Sequence, residues 1–161
     1  MAKLPRVVND TNVWLSALYL SGKPAQIVNL VEQKKILSVS SHFILDEMRE
    51  KMVVNFHTPS FAANGTVAYT QSISELAPLK GRDFGLRNSA DNQVLETAVL
   101  GKCHWLITGD NDLLTLKRYD DINIVKPKDF LDLYDLRKIL LFERKRELLT
   151  SPFRLVRRIT A

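Results

Sequence analysis

The sequence predicts a single α/β domain in which helices cover both faces of a parallel sheet. Short apolar runs that are typical of buried strands alternate with segments of helical periodicity, as they do in parallel-sheet proteins. The length of 161 residues favours one domain, and about two thirds of the unfolded surface can be buried at that size. Acidic residues follow two of the expected strands.

The expected elements cover most of the chain. Strands are predicted at residues 6–9, 36–40, 105–108 and 122–125, with a short one near 76–79. Helices are predicted at residues 13–20, 25–34, 42–56, 61–76, 91–100 and 112–116, and a last helix begins at 127 and continues or restarts up to 149. Pro24 is placed to begin the second helix and Ser41 to cap the third.

The charge is unevenly distributed. The net charge is +5, of which residues 137–161 carry +6 and residues 1–136 carry −1. We therefore divide the chain into a core domain, 1–136, and a basic C-terminal helical extension, 137–161. Such an extension suits a polyanion or an acidic protein partner, and a solvated helix face explains it equally well. The candidate nucleic-acid contacts are Arg144, Lys145, Arg146, Arg154, Arg157 and Arg158.

The composition excludes several classes of protein. A single cysteine, Cys103, rules out an internal disulfide and a cysteine-built zinc site. No apolar run has the length needed to span a bilayer. Lys3 and Arg6 are not followed by the apolar core of a signal peptide. We expect a cytoplasmic protein with no membrane partner.

Two acids lie where strands end. Asp10 follows the apolar run that begins at Val7, and Asp110 follows the strand that ends at Thr108. In open α/β sheets, ligands bind at the carboxyl ends of strands. A turn closed by Asp and Asn side chains is an alternative for Asp110, and Asp112 could cap the short helix after it.

Two further acids lie on the apolar faces of predicted helices. At 100° per residue, Glu47 lies among apolar side chains of its helix, and Asp91 lies on the core-facing stripe of its own. Glu47 could instead pair with Lys51 one turn on. Asp91 could act as an N-terminal cap or interact with the helix dipole.

These acids are expected to meet at one edge of the sheet. Four carboxylates there would repel one another, and a hard divalent cation such as Mg²⁺ or Mn²⁺ would relieve that repulsion because it prefers oxygen ligands. A metal in such a place can polarise a phosphate and orient a nucleophile. The pattern therefore favours metal-assisted hydrolysis of a phosphodiester.

The chain resembles the PIN-domain nucleases, and among them the toxin components of toxin–antitoxin systems, to which the VapC ribonucleases are related. The similarity covers residues 6–133. Besides Glu47 in its helix, it rests on three motifs: Asp10-Thr11-Asn12-Val13, Asp91-Asn92-Gln93-Val94-Leu95-Glu96-Thr97-Ala98, and Thr108-Gly109-Asp110-Asn111-Asp112-Leu113-Leu114.

The resemblance implies a three-layer α/β/α sandwich and a Mg²⁺- or Mn²⁺-dependent endoribonuclease that acts as a toxin. Asp10, Glu47, Asp91 and Asp110 would be the catalytic and metal-binding residues, joined at the metal by Asp112. Asn12 and Thr108 would support them through hydrogen bonds. The family often has further acids where this chain has Asn88-Ser89-Ala90, and we therefore expect weaker metal binding.

The expected partners are an RNA substrate, a protein antitoxin and further copies of this chain in a homodimer or higher oligomer. A catalytically degenerate domain that binds nucleic acid or protein is the main alternative. A phosphatase or receiver with an aspartyl nucleophile at Asp10 is disfavoured, because the phosphatase motif has an acid where Asn12 stands. No phosphate-binding P-loop motif is present.

Overall fold

The computed structural model describes residues 3–150, with side chains through residue 146. Its strands are β1 Arg6–Asn9, β2 Leu37–Ser40, β3 Ser74–Leu76, β4 Trp105–Ile107, β5 Arg118–Tyr119 and β6 Ile122–Val125. Its helices are α1 Thr11–Tyr19, α2 Lys23–Glu32, α3 His42–Val54, α4 Ser60–Ser72, α5 Ser89–Leu100, α6 Asn111–Thr115 and α7 Pro127–Thr150. The predicted α/β class is confirmed.

The six strands form one sheet in the order β3-β2-β1-β4-β6-β5. All neighbouring pairs are parallel except β5 and β6, which are antiparallel. From the central β1, the chain crosses to β2 on one side and later returns to β4 on the other. Where the connections leave a strand on opposite sides, a crevice forms at the carboxyl ends of the neighbouring strands. Asp10 follows β1 at this crevice.

The core lies in two clusters, one on each face of the sheet, because successive strand residues point to opposite faces. Val8 belongs to the cluster that includes Met48 of α3 and Leu95 of α5. Val7 belongs to the cluster that includes Ile27 of α2 and Phe130 of α7. The two helices that carry Glu47 and Asp91 therefore cover the same face of the sheet.

Local sequence explains most helix starts. The side chains of Asp10, Ser41 and Asn88 accept hydrogen bonds from backbone N–H groups in the first turns of α1, α3 and α5. These caps satisfy donors that have no partner inside the helix. Because Asp10 caps α1, that helix begins at Thr11 and not at residue 13 as predicted.

Further differences from the prediction concern β3, α4 and β5. The strand expected near 76–79 lies at Ser74–Leu76, since Pro78 has no N–H with which to continue a ladder. The preceding helix, α4, ends at Ser72 and not at residue 76. The two-residue strand β5 was not predicted, because its pairing depends on the antiparallel contact with β6.

Helix α7 passes the predicted domain boundary at 136/137 without interruption. Its beginning packs on the body through Phe130 and Leu131. Among the described residues, no helix is both long enough and apolar enough to cross a membrane. The division into core and extension stays a prediction.

Candidate active site

Asp10 is held rigidly at the carboxyl end of β1. Its Oδ1 accepts a hydrogen bond from the Thr11 backbone N–H at 2.7 Å, and its Oδ2 accepts one from the Thr108 hydroxyl at 2.8 Å. Only 8% of Asp10 is exposed. Burial raises the pKa of this carboxyl above its usual value, while the hydrogen bonds from Thr108 and Thr11 act in the opposite direction. The Thr108 hydroxyl thus contacts the Asp10 carboxylate directly.

Glu47 joins α3 to α1. Its Oε2 accepts a hydrogen bond from the Thr11 hydroxyl at 2.6 Å, and its Oε1 lies 3.0 Å from Nζ of Lys51. The same ammonium donates to Oδ1 of Asn12 at 3.2 Å. The ion pair considered as an alternative for Glu47 is thus formed, but the acid also faces the site through Thr11. Asn12 contacts Lys51 and not one of the carboxylates.

Asp110 and Asp112 share one turn at the end of β4. The backbone N–H of Asp110 donates to the Thr108 hydroxyl at 3.0 Å, and Oδ1 of Asp110 accepts from the Asp112 N–H at 2.8 Å. Asp110, not Asp112, therefore caps α6. The turn considered as an alternative is present, and it leaves both side chains beside Asp91. One carboxylate oxygen from each of the three acids lies within 4.8 Å of the other two.

Asp91 is the buried member of this trio, with 5% of its surface exposed. Asn88 caps α5, so the Asp91 carboxylate is not needed as the cap. Burial raises the pKa of Asp91 to about 6, with the negative charges of nearby carboxylates adding to the effect. Those carboxylates are Asp110, Asp10, Asp112 and Glu47, in decreasing order of effect.

The structure therefore brings all five predicted carboxylates to one edge of the sheet. They provide oxygen donors that suit a hard divalent cation. In the trio of Asp91, Asp110 and Asp112, the oxygens are close enough for one ion to contact all three. The charges of Asp10 and Glu47 act on Asp91, the buried member of this trio. We call the five acids, Asp10, Glu47, Asp91, Asp110 and Asp112, the carboxylate cluster.

Sequence reasoning missed one buried acid near the site. Glu96 is 1% exposed and accepts hydrogen bonds from the backbone N–H groups of Lys80 at 2.7 Å and Gly81 at 3.2 Å. Asn92 holds the same loop by accepting from the Phe84 N–H at 2.8 Å. These bonds fasten the loop after β3 to α5. No periodic signal reveals Glu96, because its partners lie in an irregular segment.

The predicted nucleic-acid contacts are only partly within the described residues. Arg144, Lys145 and Arg146 lie on the exposed last turns of α7. Arg154, Arg157 and Arg158 lie outside the described residues. Within the described residues, these three cations form no hydrogen bond or ion pair with the carboxylate cluster. Their role stays a prediction.

The sheet order, the flanking helices and the carboxylate cluster together define a class of protein. A sequence model described as a PIN domain matches residues 6–112, and the chain belongs to this family. The PIN domain is generally a nuclease fold. The family resemblance found in the sequence is thus confirmed, but its toxin branch is not.

Two particular proteins show how far the similarity extends. The chain is 29% identical over 147 residues to "Uncharacterized protein MJ1680" of Methanocaldococcus jannaschii, covering 81% of this chain and 92% of that protein. The solved structure of the T. brucei RRP44 PIN domain matches with a TM-score of 0.52 at 12% identity, covering 88% of this chain and 87% of that one. At so low an identity, this second match bears on the fold alone.

Proposed function

We propose that the protein is an endoribonuclease that hydrolyses RNA phosphodiesters with Mg²⁺ or Mn²⁺. The observation that carries the proposal is the convergence of five carboxylates, one of them with a pKa raised to about 6 by burial and by the others. Their mutual repulsion is costly without a cation, since like charges in a partly buried site oppose one another. A bound divalent cation would remove that cost.

The residues of the site would have different roles in the reaction. Asp91, Asp110 and Asp112 would hold the cation, and Asp10 and Glu47 would complete its surroundings and orient the attacking water. Such a cation supplies polarisation of the phosphate and a more acidic water. Thr108 forms hydrogen bonds with both the Asp10 side chain and the Asp110 backbone, so it would keep these two acids in fixed positions relative to each other. Thr11 does the same for Asp10 and Glu47.

We further propose that the nuclease is the toxin of a toxin–antitoxin pair and acts in the cytoplasm. The resemblance of its motifs to the toxin branch supports this role. The second half of α7, taken here as residues 136–146, also exposes several large apolar side chains that a protein antitoxin or a second copy of this chain would cover. They are Leu136, Ile139, Leu140, Leu141 and Phe142.

A catalytically degenerate PIN-like module that binds nucleic acid or protein is the second candidate. The Glu47–Lys51 ion pair favours it, because an ammonium already neutralises one of the acids. The segment Asn88-Ser89-Ala90, which has no acid, favours it as well. This candidate keeps the basic extension as a binding surface but requires no metal.

A nuclease assay separates the two candidates. Purified wild type and Asp10→Asn are incubated with structured and single-stranded RNA in Mg²⁺, Mn²⁺ or EDTA. Asp121→Asn, at an exposed acid paired only with Arg118 among the described residues, serves as the matched control. We expect wild type and the control to cleave RNA in Mg²⁺ or Mn²⁺ but not in EDTA. Cleavage that persists in Asp10→Asn or in EDTA contradicts the proposed mechanism, and RNA binding without cleavage supports the degenerate module.

A further inference from the structure

Lys51 occupies an unusual position among the lysines of this chain. Its ammonium lies 3.0 Å from Glu47 of its own helix and 3.2 Å from the Asn12 side chain of α1. An ammonium has three N–H donors. Within the described residues, two of them have protein acceptors, so the third is available to a ligand. The side chain is 30% exposed, which allows a ligand to reach it.

The charges around Lys51 indicate which kind of ligand its third donor would bind. Among the described side chains, no other cation is in hydrogen-bond or ion-pair contact with the carboxylate cluster. An RNA phosphate that approaches five carboxylates is repelled by them, and each positive charge at the site reduces that repulsion.

A comparison with Lys128 shows that Lys51 is more than an ordinary surface ion pair. Lys128 and Asp132 form a pair with the same spacing along α7, but their atoms are 3.9 Å apart and their side chains are 73% and 62% exposed. Such pairs contribute little to stability. Lys51 is instead held by two helices. The cost of ordering its long side chain is therefore met before a ligand binds.

We propose that Lys51 contacts the substrate, donating a hydrogen bond from its ammonium to a non-bridging oxygen of the RNA phosphate at the carboxylate cluster. Asn12 is a positioning residue, which keeps the ammonium beside the cluster. The proposal rests on the proposed endoribonuclease function and adds to it the residue that receives the phosphate. It also explains why Asn12 faces Lys51 and not a carboxylate.

The test compares Lys51→Met, Lys51→Arg and the matched control Lys128→Met. RNA affinity is measured against salt in an Asp10→Asn background, so that the substrate is not cleaved, and kcat/KM is measured with Mg²⁺ in the otherwise wild-type chain. Losing one phosphate contact lowers the slope of log K against log salt by about 0.7–0.9. Losing a charged hydrogen bond lowers kcat/KM by about 10- to 100-fold. We expect both effects in Lys51→Met, an intermediate loss in Lys51→Arg, and neither in Lys128→Met.

Two further variants exclude indirect effects. Lys51→Met leaves Glu47 without its partner, and the additional negative charge could itself repel RNA. In the double variant Glu47→Gln/Lys51→Met, the salt slope stays low if Lys51 contacts the phosphate, and it recovers if the unpaired Glu47 was the cause. Asn12→Ala should lower kcat/KM while keeping the wild-type slope, because it displaces the ammonium without removing its charge.

The outcomes for Lys51 and for the proposed function are distinguishable. If wild type cleaves RNA and Lys51→Met retains both its slope and its kcat/KM, the Lys51 proposal is overturned and the nuclease stands. If wild type binds RNA without cleaving it in either metal, the nuclease proposal fails, and the salt slope alone decides the role of Lys51. If wild type does not bind RNA, both proposals are overturned.

Discussion

The carboxylate cluster and the second half of α7 are two charged regions of the described chain, and they are built in opposite ways. Asp10, Glu47 and Asp110 of the cluster are held by hydrogen bonds that connect the carboxyl ends of β1 and β4 with α1 and α3. The second half of α7 presents cations and large apolar side chains that are exposed. A prearranged acidic site suits a small cation and the chemistry around it. An exposed basic and apolar helix suits a large partner.

The largest expected effect tests whether the cluster is catalytic. Asp10→Asn keeps the shape of the side chain and removes a charge that is held in place by Thr11 and Thr108. Removing one such preorganised group should lower kcat by about 100- to 1000-fold, measured under single-turnover conditions with Mg²⁺. Adding Asp110→Asn should cost little more, because residues that act as a unit are not additive. Undiminished cleavage by Asp10→Asn would reduce the cluster to ordinary polar packing.

A smaller effect tests the rigidity of the cluster. Thr108→Val removes the hydroxyl that donates to Asp10 and accepts from the Asp110 N–H, and it keeps the shape of the side chain. Losing a group that orients metal ligands typically costs about 10- to 100-fold in metal affinity or activity. Calorimetric titration with Mn²⁺ measures the affinity. Thr115→Val is the control, since its hydroxyl contacts only the Asn111 carbonyl of exposed α6 among the described residues. Equal Mn²⁺ affinities of Thr108→Val and Thr115→Val would show that the hydrogen bonds of Thr108 do not contribute to metal binding.

The pH dependence of stability tests the cost of the buried negative charge on Asp91, to which the neighbouring carboxylates add. The pKa of Asp91 is raised from 3.8 to about 6, so between these values the folded protein keeps a proton that the unfolded chain has lost. Stability in EDTA should therefore fall as pH rises from about 4 to 6, by on the order of 3 kcal/mol, and then level off. Denaturant titrations at several pH values measure it.

Asp91→Asn provides the control for that measurement. It should be more stable than wild type in EDTA above pH 6, because the repelled charge is gone. Its stability should lack the decline that Asp91 causes. Mg²⁺ should stabilise wild type more than the variant, since a ligand stabilises the state that binds it. A wild-type profile no steeper than that of the variant contradicts the raised pKa of Asp91.

The smallest expected effect concerns the basic extension. Deleting residues 152–161 removes Arg154, Arg157 and Arg158 and leaves the cluster intact. If these arginines contact phosphates, the slope of log K against log salt should fall by about 2–3, while the kcat on a short RNA changes little. Filter binding at several salt concentrations measures the slope. An unchanged slope rules out RNA contact by these three arginines and leaves a protein partner or a solvated helix face for this region.

The sequence alone identified the members of the cluster better than their contacts. Asp10 and Asp110 could be found because each follows an apolar strand, and Glu47 and Asp91 because helical periodicity places them on apolar faces. The contact of Asn12 with Lys51 could not be found, since these two residues are 39 positions apart in the chain and lie on different helices. The role of Glu96 could not be predicted for a similar reason, because its partners lie in a loop without periodicity.

The sequence by itself determined the features that depend on neighbours along the chain: the alternation of strands and helices, the cap at Ser41, and the helix faces that carry acids. The tertiary structure alone decided the strand order, the antiparallel edge strand β5 and the pairing of Lys51 with both Glu47 and Asn12. These features depend on contacts between segments that are distant in sequence, and local preferences do not specify such contacts. The carboxylate cluster exists because β1 and β4 are neighbours, with Asn9 opposite Ile107, and that pairing brings Thr108 to Asp10.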